Sequence, residues 1–61
     1  MQEYENLKRL VEEAVEDVSK AQGGNKAAGT RVRKKMQEIK AAATDIRKKI
    51  LESRNTEPGV A

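Results

Sequence analysis

Apolar residues recur in this chain at alternating intervals of three and four, in two runs separated by a Gly-Gly-Asn break. Tyr4, Leu7, Val11, Ala14, Val18 and Ala21 form the first run, and Val32, Met36, Ile39, Ala43, Ile46 and Ile50 form the second. That spacing marks one face of an α-helix and leaves no room for the strict alternation of a strand. Gly23 suits a left-handed C-cap and Asn25 an N-cap, so the sequence predicts helix one over about 2–22, a turn at 22–25 and helix two over about 25–54. An alternative start at Thr30 is open, because Gly29 costs about 1 kcal/mol relative to alanine inside a helix. Asn-Thr-Glu-Pro-Gly follows Arg54 and stops the helix, leaving a frayed tail over 55–61. The short turn makes the helices antiparallel neighbours, so the expected fold is an all-α, single-domain helical hairpin. Helix two should overshoot helix one over about residues 45–54, which carry Ile46, Ile50 and Leu51.

A hairpin of 61 residues needs help to be stable. Cysteine and histidine are both absent, which removes disulfides and the usual zinc ligands together. Large apolar side chains are few as well: the hydrophobic fraction is 36%, and eight of those residues are alanine. Association is the remedy left. Leu10 and Val15 lie beside the seam of helix one and widen its apolar stripe beyond a two-helix contact. The chain is therefore expected to dimerise into a four-helix bundle or coiled coil. Leu7, Leu10, Val15, Val32, Met36, Ile39, Ile46 and Ile50 are the candidate interface residues.

Charge is segregated along the chain. Residues 1–22 hold six acids and three bases, whereas residues 25–54 hold ten bases and three acids. A net charge of +3 thus conceals a strongly basic second helix. With Met36, Ala43 and Ile50 at heptad position a and Val32, Ile39 and Ile46 at d, Arg33, Lys40, Arg47 and Arg54 share position e. Lys35 and Lys49 fall at g and Lys34 and Lys48 at f, while Glu38, Asp45 and Glu52 share c with Arg31. Such charges commonly pair with a neighbouring helix. The six acids of helix one cannot serve all ten cations, and Arg47, Lys48, Lys49 and Arg54 lie in the expected overhang. An unneutralised basic stripe is the footprint of a polyanion binder. Double-stranded DNA fits it best, held through phosphates by Lys26, Arg31, Arg33, Lys34, Lys35, Lys40, Arg47, Lys48, Lys49 and Arg54.

Other functions lack their residues. Without His or Cys the commonest general base and the strongest nucleophile are missing, so no enzyme, catalytic residue, metal or cofactor is expected. Gly23-Gly24-Asn25-Lys26 is too short to cradle a phosphate. Only Asn25 and Gln37 on helix two could read base edges, so binding should be largely independent of sequence. No apolar stretch approaches the roughly 20 residues of a membrane span, which makes the cytoplasm the expected compartment. The alternative to DNA binding is a coiled-coil adaptor whose charges specify a protein partner.

The run Gly24-Asn25-Lys26-Ala27-Ala28-Gly29-Thr30-Arg31-Val32-Arg33-Lys34, with Glu38-Ile39-Lys40 and Ile46-Arg47-Lys48 downstream, resembles the chlamydial-type, linker-histone-like proteins of bacteria. The likeness covers roughly residues 4–52, and Asn25, Lys26, Arg31, Arg33, Lys34, Arg47 and Lys48 match the family's pattern. It implies DNA binding and organisation of the bacterial nucleoid. The long lysine- and alanine-rich tail of chlamydial members has no counterpart before Ala61, so compaction is expected to come from the helices and their oligomer.

Overall fold

The computed structural model describes residues 1–53; the expected helix stop, the tail and Arg54 lie outside the described residues. Three helices follow in order: α1 (Gln2–Glu13), α2 (Val15–Gln22) and α3 (Lys26–Ser53). The described residues include no strand. Consecutive in line, α1 and α2 form one arm of a hairpin, and α3 returns along both as the other.

The first arm is not the single unbroken helix expected over 2–22. At Ala14 the backbone opens to φ −87° and ψ −12°. Its N–H donates to the Val11 carbonyl at 3.1 Å, a tightened three-residue turn. Glu12 and Glu16, four residues apart across this turn and with no cation of the described residues within 4.0 Å, add like-charge repulsion there. Helical bonding resumes at once, with Val18 N–H donating to the Ala14 carbonyl at 2.9 Å.

The turn joins two caps through one residue. Asn25 N–H donates to the Lys20 carbonyl and Gly24 N–H to the Ala21 carbonyl, both at 3.0 Å. This is the paired bonding of a Schellman motif, which places a left-handed residue just past the helix end. Gly24 supplies it with φ +99°. Gly23, the expected left-handed residue, has φ −81° and sits one position earlier as the C-cap. The Asn25 side chain then starts α3, its Oδ1 accepting the Ala28 N–H at 2.9 Å. Because that cap is in place, α3 begins at Lys26 and runs through Gly29 rather than starting at Thr30.

Among the described residues, three interhelical ion pairs mark the antiparallel register. Asp17 meets Arg31 at 2.9 Å, Glu13 meets Lys35 at 3.0 Å, and Glu3 meets Lys49 at 3.6 Å. The last pair corrects the expected overhang: Lys49 reaches the start of helix one, so residues 45–49 are within its span. Long side chains and a first arm that starts at Gln2 together close that distance.

The seam is also rotated from a strict a/d face. Among the described residues Ala28 and Ala14 are the two buried ones, at 0% and 4% exposure. Leu7, Leu10, Val18, Val32, Ile39, Ala42 and Ile46 are half-buried around them. Position g, with Ala28, Lys35 and Ala42, therefore faces the first arm, because alanines allow close approach. Tyr4 and Val11, expected in the seam, are half exposed, and Leu10 takes their place. The hairpin measures 49 × 19 × 12 Å, which is one helix thick. A single layer of helices has no interior beyond its seam.

Candidate nucleic-acid interface

The two flanks of the seam differ in chemistry. One is ionic. Arg31 donates from Nε and Nη2 to both oxygens of Asp17, at 3.0 and 2.9 Å. Lys35 donates to Glu13 at 3.0 Å and lies 3.8 Å from Glu38. The Arg31 hydrogen bonds hold the Asp17 carboxyl below its ordinary range, and Lys35 does the same to Glu13. In return Arg31 and Lys35 are held more firmly protonated. Together with Lys34 these side chains line a cleft of about 290 Å³.

The opposite flank is a wider, open groove of about 410 Å³, lined by Val11, Ala14, Val15, Val18, Met36 and Ile39. Val15 is 58% exposed and Met36 43%. Tyr4 is also half exposed, with the Lys8 ammonium 5.4 Å above its ring.

This asymmetry divides the candidate cations. Arg31, Lys35 and Lys49 are engaged by carboxylates of the first arm. Lys26, Arg33, Lys34, Lys40, Arg47 and Lys48 are exposed, and none has a carboxylate of the described residues within 4.0 Å. Lys26, Arg33, Lys40 and Arg47 are seven residues apart, so they form a row along α3 with members roughly 10 Å apart. Lys34 and Lys48 lie one position further around, away from the seam. Small or uncharged residues separate them: Thr30, Gln37, Ala41 and Thr44. The Thr30 and Thr44 hydroxyls donate back to the Lys26 and Lys40 carbonyls, at 3.3 and 3.0 Å, and so stay low on the surface. The result is an uncluttered cationic strip that can meet a row of phosphates.

Of the candidate interface residues, Leu7, Leu10, Val32, Ile39 and Ile46 lie half-buried along the chain's own seam. Val15, Met36 and Ile50 are open to solvent. Sequence reasoning passed over Lys20, an exposed cation at the turn end of the first arm that also lacks an ion-pair partner among the described residues. Its position four residues before Gly24 was the available signal. Among the described residues no cluster of three metal-binding side chains occurs, and no helix is long and apolar enough to cross a membrane.

No curated protein and no solved structure matches the chain. The chain does match a protein family, histone H1-like protein Hc1, over residues 1–56, more of the chain than the resemblance seen in the sequence. That family is a non-enzymatic, DNA-binding one. With its basic second arm and 56 of 61 residues matched, the chain belongs to the chlamydial-type, histone H1-like family.

Proposed function

We propose that the chain binds double-stranded DNA through phosphates, largely without regard to base sequence, and organises the bacterial nucleoid as a homo-oligomer of hairpins. The observation that carries this reading is the division of the cations. Acids of the first arm engage Arg31, Lys35 and Lys49 and leave six other cations of α3 without a carboxylate within 4.0 Å among the described residues. Lysine and arginine contacts to phosphate set affinity and position but carry no base code. The strip has no aromatic residue for stacking on unpaired bases and no set of amides for reading base edges. Self-association is supported by the one-helix thickness and by the exposed Val11, Val15 and Met36.

A gel-shift titration with random-sequence duplex at two ionic strengths tests the function. Steeply salt-dependent binding, equal on two unrelated sequences, is expected. No shift at low salt, with capture of a specific protein through the ionic flank, would replace DNA binding with the adaptor reading. Strong preference for one sequence would contradict the phosphate mechanism.

A further inference from the structure

Residues 26–35, Lys-Ala-Ala-Gly-Thr-Arg-Val-Arg-Lys-Lys, return fourteen residues later as 40–49, Lys-Ala-Ala-Ala-Thr-Asp-Ile-Arg-Lys-Lys. Only Gly29, Arg31 and Val32 change, to Ala43, Asp45 and Ile46. The folded chain uses the two copies alike. Ala28 is buried in the seam and Ala42 half-buried there. Lys35 pairs with Glu13, and Lys49 with Glu3. The Thr30 and Thr44 hydroxyls donate to the Lys26 and Lys40 carbonyls. Lys26, Arg33 and Lys34 are left exposed in the first copy, and Lys40, Arg47 and Lys48 in the second. These are the six α3 cations that have no carboxylate of the described residues within 4.0 Å. The strip is therefore one unit used twice, about 21 Å apart along the helix and within about 40° of the same direction.

We infer that α3 lies along the axis of a B-form duplex, with its two Arg-Lys doublets on the two strands that flank one major groove. This inference rests on the DNA-binding reading. A line parallel to the duplex axis crosses each strand once in every turn of about 34 Å. The major groove is about 12 Å wide and the minor about 6 Å, so the crossings divide the turn into intervals of roughly 23 and 11 Å. The cations of α3 repeat that division. Arg33-Lys34 and Arg47-Lys48 are fourteen residues apart, or about 21 Å. Lys26 precedes Arg33 by seven residues, or about 10 Å. Lys26 then meets a strand across the minor groove from the first doublet, and the second doublet meets that strand again one turn on. The members of a doublet stand about 100° apart around the helix, so they straddle a strand that passes beneath them. Lys40 stands over the major groove, its flexible stem free to turn toward either wall.

The competing placement sinks α3 into the major groove. It would present Thr30, Gln37 and Thr44 to the floor, yet both threonine hydroxyls are turned back to their own backbone. Gln37 alone of that row offers an amide to base edges. The first arm packs against the seam side of α3, which leaves the outer face clear to lie along a duplex.

The test uses thiols, because the full chain has no cysteine of its own. Thr30 and Ala41 are both exposed, and neither carries a charge. Residue 30 should lie over the minor groove, between Lys26 and Arg33, and residue 41 over the major groove, between the doublets. Thr30→Cys and Ala41→Cys chains are each mixed with two duplexes under thiol–disulfide exchange. One duplex bears a thiol tether on cytosine N4, which opens into the major groove, and the other on guanine N2, which opens into the minor. Both variants should keep the gel shift of the unaltered chain. Ala41→Cys should be captured severalfold more by the major-groove tether, and Thr30→Cys severalfold more by the minor-groove tether. Capture of both variants by the major-groove tether would overturn the axial placement in favour of a sunken helix. Equal capture by both tethers, with the gel shift kept, would overturn any fixed placement and leave DNA binding intact. Absence of a gel shift by the unaltered chain would sink the DNA-binding reading and the placement with it.

Discussion

The division of the cations has a quantitative consequence. Lys34→Gln with Lys48→Gln removes two unopposed charges from the outer face of α3, whereas Arg31→Gln with Lys35→Gln removes two charges engaged with Asp17 and Glu13. Both variants lose the same net charge. Each phosphate contact contributes about −0.9 to the slope of log affinity against log salt on duplex DNA. If all six free cations touch phosphate, the slope is about −5.4 and affinity falls roughly 2,000-fold between 50 and 200 mM salt. Without Lys34 and Lys48 the slope is about −3.6 and the fall roughly 150-fold, a difference of about twelvefold. The Arg31 and Lys35 variant should keep the original slope to within about half a contact. Fluorescence anisotropy of a labelled random-sequence duplex across that salt range measures both. Equal flattening by the two variants would refute the argument, because it would mean that net charge matters and that ion pairing within the hairpin does not select the contacts.

Val15→Asp should lower melting temperature and sedimenting mass together, although Val15 is 58% exposed in the single hairpin, and the melting temperature of the unaltered chain should rise with protein concentration. Gly24→Ala should destabilise by about 1 kcal/mol, since an L side chain is strained at φ +99°. Gly29→Ala should stabilise by about 0.5–1 kcal/mol, because its Cβ meets no atom within 4 Å in a helix interior; thermal melts of both variants check the contrast. Asn25→Ala should cost roughly 0.5–2 kcal/mol through loss of its N-cap bond, read from the same melts. Glu13 and Asp17 titrate below the ordinary carboxylate range in the folded chain, so their contribution is fully present above that range and is lost as pH falls through about 4 and below. Helicity followed from pH 7 to pH 2 should show a shallower acid limb in Glu13→Gln with Asp17→Asn.

Much of the fold could be read from spacing, because a helix repeats a periodicity that apolar residues print directly into the sequence. Asn25 was legible as a cap for the same local reason. Its neighbour was not: both Gly23 and Gly24 tolerate a left-handed backbone, and the bonds to Lys20 and Ala21 select Gly24. The seam departs from the apolar pattern where size matters more than hydrophobicity. Ala28 and Ala42 bring the arms together because they are small, a property invisible to a search for large apolar residues. The break at Ala14 falls inside an uninterrupted apolar repeat, so the apolar pattern does not report it. The basic character of the second arm was plain from composition alone. Which cations remain free depends on register, and register is marked by Asp17, Glu13 and Glu3 from the other arm.

The central claim is that the outer face of α3, and not its ionic flank, meets the phosphates. Lysine acetylation with and without a random-sequence duplex, quantified residue by residue by mass spectrometry, tests it most directly. Lys26, Lys34, Lys40 and Lys48 should be protected by DNA at low salt and released at high salt. Lys35 and Lys49, already held by Glu13 and Glu3, should react at the same rate in both conditions. Protection centred on Lys35 and Lys49, or spread evenly over every lysine, would contradict the account.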